Sequence, residues 1–152
     1  MVSTMSIRPA QQTDLPRWVE MRSQLWPDSA EDHLPELRQY FDDTSIDILE
    51  TLIAVDDQDL PVGFIELNIR NFAEGSRSAE VPYVEGWFVD QRYRGQGLGK
   101  ALMQAAESWA REKGYFELAS DTELDNTLSQ TIHKCMGFVE TERVVCYLKP
   151  LK

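Results

Sequence analysis

The segment from Gln91 to Lys100 (QRYRGQGLGK) has residue types and spacing suited to binding an anion. It follows an apolar run that ends at Val89 and leads into a helix-like pattern that begins at Leu98. Glycine lets a backbone approach a ligand closely, and the first helical turn offers unpaired N–H groups and a positive dipole end. The glycines are Gly95, Gly97 and Gly99, and the cations are Arg92, Arg94 and Lys100. The segment predicts a pyrophosphate site.

Two well-known phosphate loops do not match this segment. A P-loop needs Gly, four residues and then Gly-Lys-Ser/Thr, and a dinucleotide fingerprint has its glycines at the first, third and sixth positions. The pattern Arg92-x-x-Gly95-x-Gly97 instead resembles the acyl-CoA pyrophosphate loop of the GCN5-related N-acetyltransferases (GNAT). Residues 85–89 and 126–138 are similar to that family too. The alternative is a glycine-rich turn before an ordinary helix.

Composition limits the classes of function. The 152 residues fit one domain spanning 1–152, and the 42% hydrophobic content is typical of a globular chain. A net charge of −11 argues against a nucleic-acid partner and is compatible with a cationic substrate. No run is apolar enough for a signal peptide or a membrane span, so a cytoplasmic location is the default expectation. Two cysteines make no disulfide framework, and no metal-ligand spacing appears.

Apolar periodicity predicts six strands and four helices in the order that the GNAT fold has. The resemblance implies an α/β (α+β) fold, with a mixed central sheet of six to seven strands flanked by about four helices. The predicted strands are 4–8, 49–56, 61–70, 81–89, 116–120 and 138–148. The predicted helices are 14–26, 30–41, 98–113 and 127–135.

The resemblance implies that acetyl-CoA binds along the glycine loop and the strand before it, with coenzyme A as the product. Gly86 inside that strand indicates a bulge or a close backbone approach, although a plain strand irregularity would also explain it. Asn126 resembles the family asparagine that touches the cofactor arm, but it is equally suited to cap a helix. The residues expected to bind the cofactor are Trp87, Phe88, Val89, Arg94, Gly95, Gln96, Gly97, Leu98, Gly99, Lys100 and Asn126.

Further segments resemble the aminoglycoside 6′-N-acetyltransferases that act as small cytosolic dimers, which implies antibiotic resistance as the outcome and a homodimer as the assembly. These segments are Trp26-Pro27, residues 84–86, residues 119–122 and residues 138–143. A polycationic amino sugar calls for carboxylates and an aromatic face. The resemblance places Trp26, Ser29, Phe72, Glu85, Asp121 and Glu142 at the acceptor cleft.

The residues permit direct transfer without an acyl-enzyme, because neither cysteine has a neighbouring base in the sequence. Glu85 or Asp121 would take the proton of the acceptor ammonium. His133 holds the position at which many family members have a tyrosine that protonates the departing thiolate; it could also be a histidine that only packs. Tyr147 is a second candidate donor.

Two other functions are compatible with the sequence. One is acetylation of a polyamine, another small amine or a protein amine. The other is a non-catalytic acyl-CoA-binding module, which would bind the cofactor without turnover of any amine.

Overall fold

The structure, a computed structural model, describes residues 5–152. The described chain forms one sheet, with the strands in sequence order, and four helices. The strands are β1 Ser6–Pro9, β2 Glu50–Val55, β3 Pro61–Arg70, β4 Val81–Val89 and β5 Ala119–Ser120. The helices are α1 Leu15–Leu25, α2 Ala30–Phe41, α3 Leu98–Glu112 and α4 Thr127–Cys135.

The predicted bounds of α2, α4, β3 and β4 are confirmed. Helix α1 is one residue shorter than predicted at each end, and α3 ends one residue earlier than predicted. Helix α3 ends where Gly114 takes a left-handed φ of +88°, a conformation that favours glycine. The first strand begins at Ser6, and Thr4, its predicted start, lies outside the described residues. Among residues 5–152, no helix is long and apolar enough to span a membrane.

The sheet is mixed, as predicted: β1 to β4 pair antiparallel, and β4 pairs parallel with β5. Alternation along the strands sends side chains to opposite faces, and each face has its own core. Helix α3 covers one face, where Leu102 and Met103 pack on Ile65 of β3. Helices α1 and α2 cover the other, where Trp18 packs with Phe64 of β3. Two helical layers therefore fix β3 and β4 at the centre.

The prediction of six to seven strands is wrong, since the sheet has five. The predicted strand at 116–120 is reduced to two residues, and the predicted strand at 138–148 does not form. A strand exists only where a neighbour satisfies its backbone, and no strand of the described chain pairs beyond β5. Residues 139–152, here called the C-terminal arm, are instead exposed, with Tyr147 at 92% and Leu148 at 96% exposure.

A buried carboxylate lies on β3, at the residue that pairs with Gly86 of β4. Glu66 on β3 is fully buried, accepts a hydrogen bond from the Trp18 indole N–H at 2.9 Å and lies 3.2 Å from the Arg22 guanidinium. Burial raises the pKa of Glu66 to about 7, although Arg22 and Trp18 oppose that rise. The Arg22 guanidinium also lies 4.9 Å from the centre of the Trp26 ring. The network therefore links the interior of the sheet to the residue that ends α1.

Candidate active site

The glycine loop is anchored at its start by Asp90, which is nearly fully buried. Its carboxylate accepts a hydrogen bond from the backbone N–H of Arg92 at 3.0 Å and bonds from the Arg92 and Arg17 side chains. These contacts, the Arg92 side chain foremost, hold the pKa of Asp90 well below its usual range. Because Arg17 belongs to α1, the start of the loop is fixed to the helical layer.

The loop then turns into α3 through glycines in left-handed conformations. The φ angles are +82° at Gly95 and +85° at Gly97, and a Cβ at either position would meet no atom within 4 Å. Glycine is thus required by the backbone conformation, and the space before the loop is open. No side chain caps α3, so the N–H groups of its first turn have no side-chain partner at the cap. This arrangement fits an anionic group such as a pyrophosphate.

The predicted bulge in β4 is confirmed. Pairing with β3 skips Glu85, so Gly86 continues the ladder one residue out of register. A Cβ on Gly86 would lie only 2.5 Å from a ring carbon of Trp26, which explains why this position is glycine. The bulge re-aims the Glu85 side chain, and the absence of a side chain at Gly86 lets the Trp26 ring lie against the middle of the strand.

A gap opens between β4 and β5 just past the bulge. The two strands pair only at Tyr83–Ala119 and Val84–Ser120. Among the described residues, no strand pairs with positions 85–89 of β4 on the β5 side. The peptide groups of Trp87 to Val89 that point away from β3 are therefore available to a ligand in extended conformation. One of them has a partner in the chain: the Val89 carbonyl accepts a hydrogen bond from Arg94 Nε at 2.8 Å.

The two predicted carboxylates lie beside this gap in different electrostatic settings. Glu85 receives two hydrogen bonds from the Arg70 guanidinium, at 2.5 and 2.7 Å, and one from the Asn68 amide at 3.3 Å. Asp121 accepts a hydrogen bond at 2.7 Å from the hydroxyl of Tyr83, and burial, together with this contact, raises the pKa of that tyrosine. Glu85 is thus neutralised by a cation, whereas Asp121 has a neutral donor.

His133 lies on α4 between the rings of Trp87 and Phe138, at 5.5 and 5.1 Å between centroids. Its Nδ1 is 2.8 Å from the Ser129 carbonyl oxygen, and its Nε2 is 2.8 Å from the Ser120 hydroxyl. A carbonyl can only accept, so Nδ1 carries the proton and Nε2 of the neutral ring accepts from Ser120. The histidine therefore reaches β5 at the edge of the gap.

A cavity of about 510 Å³ is lined by some of the predicted site residues. Asp121, His133 and Glu142 line it, together with Tyr83 and Ser120. Its walls are strongly acidic, which suits a cationic ligand. Other acidic residues at its wall are Glu74, Glu123, Asp125 and Glu140.

The remaining predicted residues lie away from this cavity or have a visible structural role. Asn126 caps α4 by accepting a hydrogen bond from the Ser129 N–H at 3.1 Å. Ser29 is half-buried just before α2, Phe72 is 66% exposed in the β3–β4 loop, and Tyr147 lies on the exposed arm. The structure thus brings Asp121, Glu142 and His133 together at one cavity and leaves Tyr147 apart. Glu85 does not line this cavity and is connected to Asp121 through Arg70 and Tyr83.

Sequence reasoning missed Arg70, Tyr83 and Ser120. Each lies in a predicted strand and looks like an ordinary strand residue. The usable signal was strand alternation: Tyr83 lies two residues before Glu85, and Arg70 ends the strand that pairs with β4. Their contacts depend on the bulge, whose position a pattern does not give.

Comparison with known proteins agrees with this geometry. Residues 15–138 match the acetyltransferase (GNAT) family. The chain is 41% identical over 152 residues to an aminoglycoside N(6′)-acetyltransferase type 1 of Klebsiella aerogenes, covering 99% of this chain and 100% of that one. It is 37% identical to one of Stenotrophomonas maltophilia, with 99% and 96% covered.

A similar solved structure is the aminoglycoside N-acetyltransferase AAC(6′)-Iy in complex with CoA. It superposes with a TM-score of 0.88 at 37% identity, covering 99% of this chain and 98% of that one. At this coverage the match includes the glycine loop, both helical layers and the segments that carry Glu85 and Asp121. This chain belongs to the GNAT family of acetyltransferases.

Proposed function

We propose that this chain is an acetyl-CoA-dependent aminoglycoside 6′-N-acetyltransferase that acts by direct transfer and confers resistance to such antibiotics. The observation that carries the proposal is the convergence of Glu85 and Asp121 beside the gap between β4 and β5, in a chain of this family. The full-length relatives named above support the same assignment.

The chain fits acetyl-CoA at the glycine loop and along the gap. Acetyl-CoA supplies an acetyl group activated as a thioester. The N–H groups of 95–99, with Lys100 nearby, suit its pyrophosphate, since Gly97 leaves open space before them. The peptide groups of 87–89 suit the amides of its pantetheine arm, and their N–H groups would stabilise negative charge on a carbonyl oxygen. Arg94, Gln96, Leu98 and Asn126 complete the proposed set.

Asp121 is the better candidate to take the proton from the acceptor ammonium. Its Oδ2 accepts from Tyr83, and no other described group donates to Oδ1, so Oδ1 can hold the proton. Glu85 is paired twice with Arg70 and is better suited to bind charge than to accept a proton. The proposed acceptor contacts are Trp26, Ser29, Phe72, Glu85, Asp121 and Glu142.

His133 is the better candidate to return a proton to the departing thiolate. It lies at the gap and contacts Trp87, whereas Tyr147 is 92% exposed on the arm. Because Nε2 of the neutral ring accepts from Ser120, His133 can donate from Nε2 only as an imidazolium. The proton then goes to the thiolate directly, or through Ser120, whose hydroxyl gives its proton to the thiolate and takes one from Nε2. The geometry therefore supports His133 over Tyr147.

The proposed activity is tested by following thiol release from acetyl-CoA with kanamycin A and with its 6′-hydroxyl analogue. We expect release with the first and none with the second, because the hydroxyl compound lacks the reacting amine. Spermidine tests the polyamine alternative in the same assay. Coenzyme binding without release on any amine would instead support a non-catalytic module.

We also propose that the enzyme is a homodimer, located in the cytoplasm where acetyl-CoA is available. Apolar side chains of the C-terminal arm are exposed, including Val145 at 68% and Leu148 at 96%, and so is Phe116 at 98%. The sheet edge at β5 has no further strand in the described chain. A twofold axis would let each arm pair with the other copy's edge, because both copies carry arm and edge.

Val145→Asp combined with Leu148→Asp is expected to yield a monomer, because two charges would be buried in the proposed contact. Sedimentation velocity should then give about 17.5 kDa, against about twice that mass for the unaltered chain. Ile46→Asp makes the same kind of change at a residue 87% exposed outside the arm and should stay dimeric. A monomeric unaltered chain would refute the dimer.

A further inference from the structure

The Arg70 guanidinium occupies a position built for a cation. It lies at the end of β3 and makes two hydrogen bonds to opposite oxygens of Glu85, at 2.5 and 2.7 Å. Its Cζ is 3.6 Å from the centre of the Tyr83 ring. A carboxylate on one side and an aromatic face on another are the two groups that bind an organic cation most strongly.

The same tyrosine connects this position to the second carboxylate. The Tyr83 hydroxyl donates to Asp121 Oδ2 at 2.7 Å, so the ring under the guanidinium ends at Asp121. The hydrogen bonds to Glu85 foremost, and also the negative charge of Asp121, raise the pKa of Arg70. The Arg70 side chain is 40% exposed, while that of Glu85 is 15% exposed, so the cation covers the carboxylate from the solvent side.

We propose that Arg70 is an internal competitor for the acceptor: it holds Glu85 in the free enzyme and leaves when an ammonium group of the acceptor takes its place. The inference rests on the proposed function, because it needs a cationic acceptor at Glu85. It makes Arg70 a specificity-determining residue, since each acceptor must displace a tethered cation before it can use Glu85.

Both the acceptor and Arg70 have properties that allow the acceptor to displace the guanidinium from Glu85. The guanidinium is tethered to the chain and makes two hydrogen bonds to Glu85, so a single ammonium group competes with it poorly. An acceptor with several ammonium groups gains further binding energy from Asp121 and the acidic cavity. Arg70 is also partly exposed and has a long side chain, so it can move into solvent without a shift of β3. We therefore expect the site to bind polycationic acceptors more tightly than monoamines.

The test compares steady-state kinetics of the unaltered enzyme, Arg70→Gln and Arg70→Lys with kanamycin A at saturating acetyl-CoA. We expect Arg70→Gln to lower the KM for kanamycin A roughly three- to tenfold with little change in kcat, because the competing state is removed. Arg70→Lys should give an intermediate KM. Arg77→Gln removes the same charge from an exposed position in the adjacent loop and should leave KM unchanged.

A double-mutant comparison separates competition from a structural role. In a Glu85→Gln background, Arg70→Gln should lower KM no further, because the contested carboxylate is gone. An unchanged or higher KM in Arg70→Gln alone would overturn the inference, since it would mean that Arg70 merely supports Glu85.

An NMR titration gives a readout independent of turnover. The Nε–H signal of Arg70, identified by its loss in Arg70→Lys, should shift when kanamycin A saturates the CoA-bound protein. An unchanged signal in an enzyme that acetylates kanamycin A would overturn this inference alone. A chain that neither binds nor acetylates kanamycin A would overturn the proposed function, and this inference with it.

Discussion

Replacement of Asp121 by asparagine is expected to lower kcat for kanamycin A by about two to four orders of magnitude, the range of a lost general base. Asparagine keeps the shape of the side chain and can still accept the Tyr83 hydrogen bond seen at 2.7 Å. It cannot take the proton of the acceptor ammonium. The affinity for acetyl-CoA, measured by calorimetry, should be unchanged because the glycine loop is a separate part of the site.

Glu123→Gln is the matched control for this change. Glu123 lines the same cavity, so its replacement removes one negative charge from the same wall. We expect it to affect KM modestly and kcat little. If Asp121→Asn kept its turnover, or if both variants lost kcat equally, Asp121 would contribute only to the acidic field.

Gly97→Val is expected to weaken acetyl-CoA binding by roughly a hundredfold, the effect of losing one or two hydrogen bonds to a charged group. The φ of +85° at this residue suits glycine, and a branched side chain would fill the open space in front of the loop. Because no atom of the chain lies within 4 Å of the new Cβ, the loss would arise mainly from exclusion of the pyrophosphate.

Gly114→Val separates that exclusion from backbone strain. Gly114 has a φ of +88° and equally open surroundings, but it lies past the far end of α3. Both variants should be destabilised by a similar amount, about 1–3 kcal/mol, measured as the free energy of unfolding. Only Gly97→Val should lose coenzyme affinity in calorimetry. Equal coenzyme affinities in the two variants would show that the pyrophosphate does not bind at this loop.

Much of the fold could be predicted because its signals are local. The stripe of α3, the cap at Asn126 and the glycines that end helices depend on residues a few positions apart, and the structure reproduces those elements. The bulge at Gly86 was also predictable, since an interior strand glycine has few explanations. The roles of the site residues stay predictions.

The C-terminal arm shows where local signals fail. Residues 138–148 alternate like a strand, yet they form none in the described chain, because strand formation needs a partner edge that the pattern does not supply. The alternation of apolar and polar residues indicates that these side chains suit a β-strand. It does not say whether the neighbouring strand comes from the same chain or from a second copy.

By itself, the sequence determined that a glycine turn precedes a helix, and from this it predicted an anion site, because glycine's backbone freedom and the helix N-terminus are properties of neighbouring residues. Only the tertiary structure decided which charged groups meet at the proposed acceptor site. Arg70, Glu85 and Asp121 come from three different strands or strand ends, and the bulge determines which of them meet. Charge pairing depends on distances across the sheet, which one chain position cannot encode.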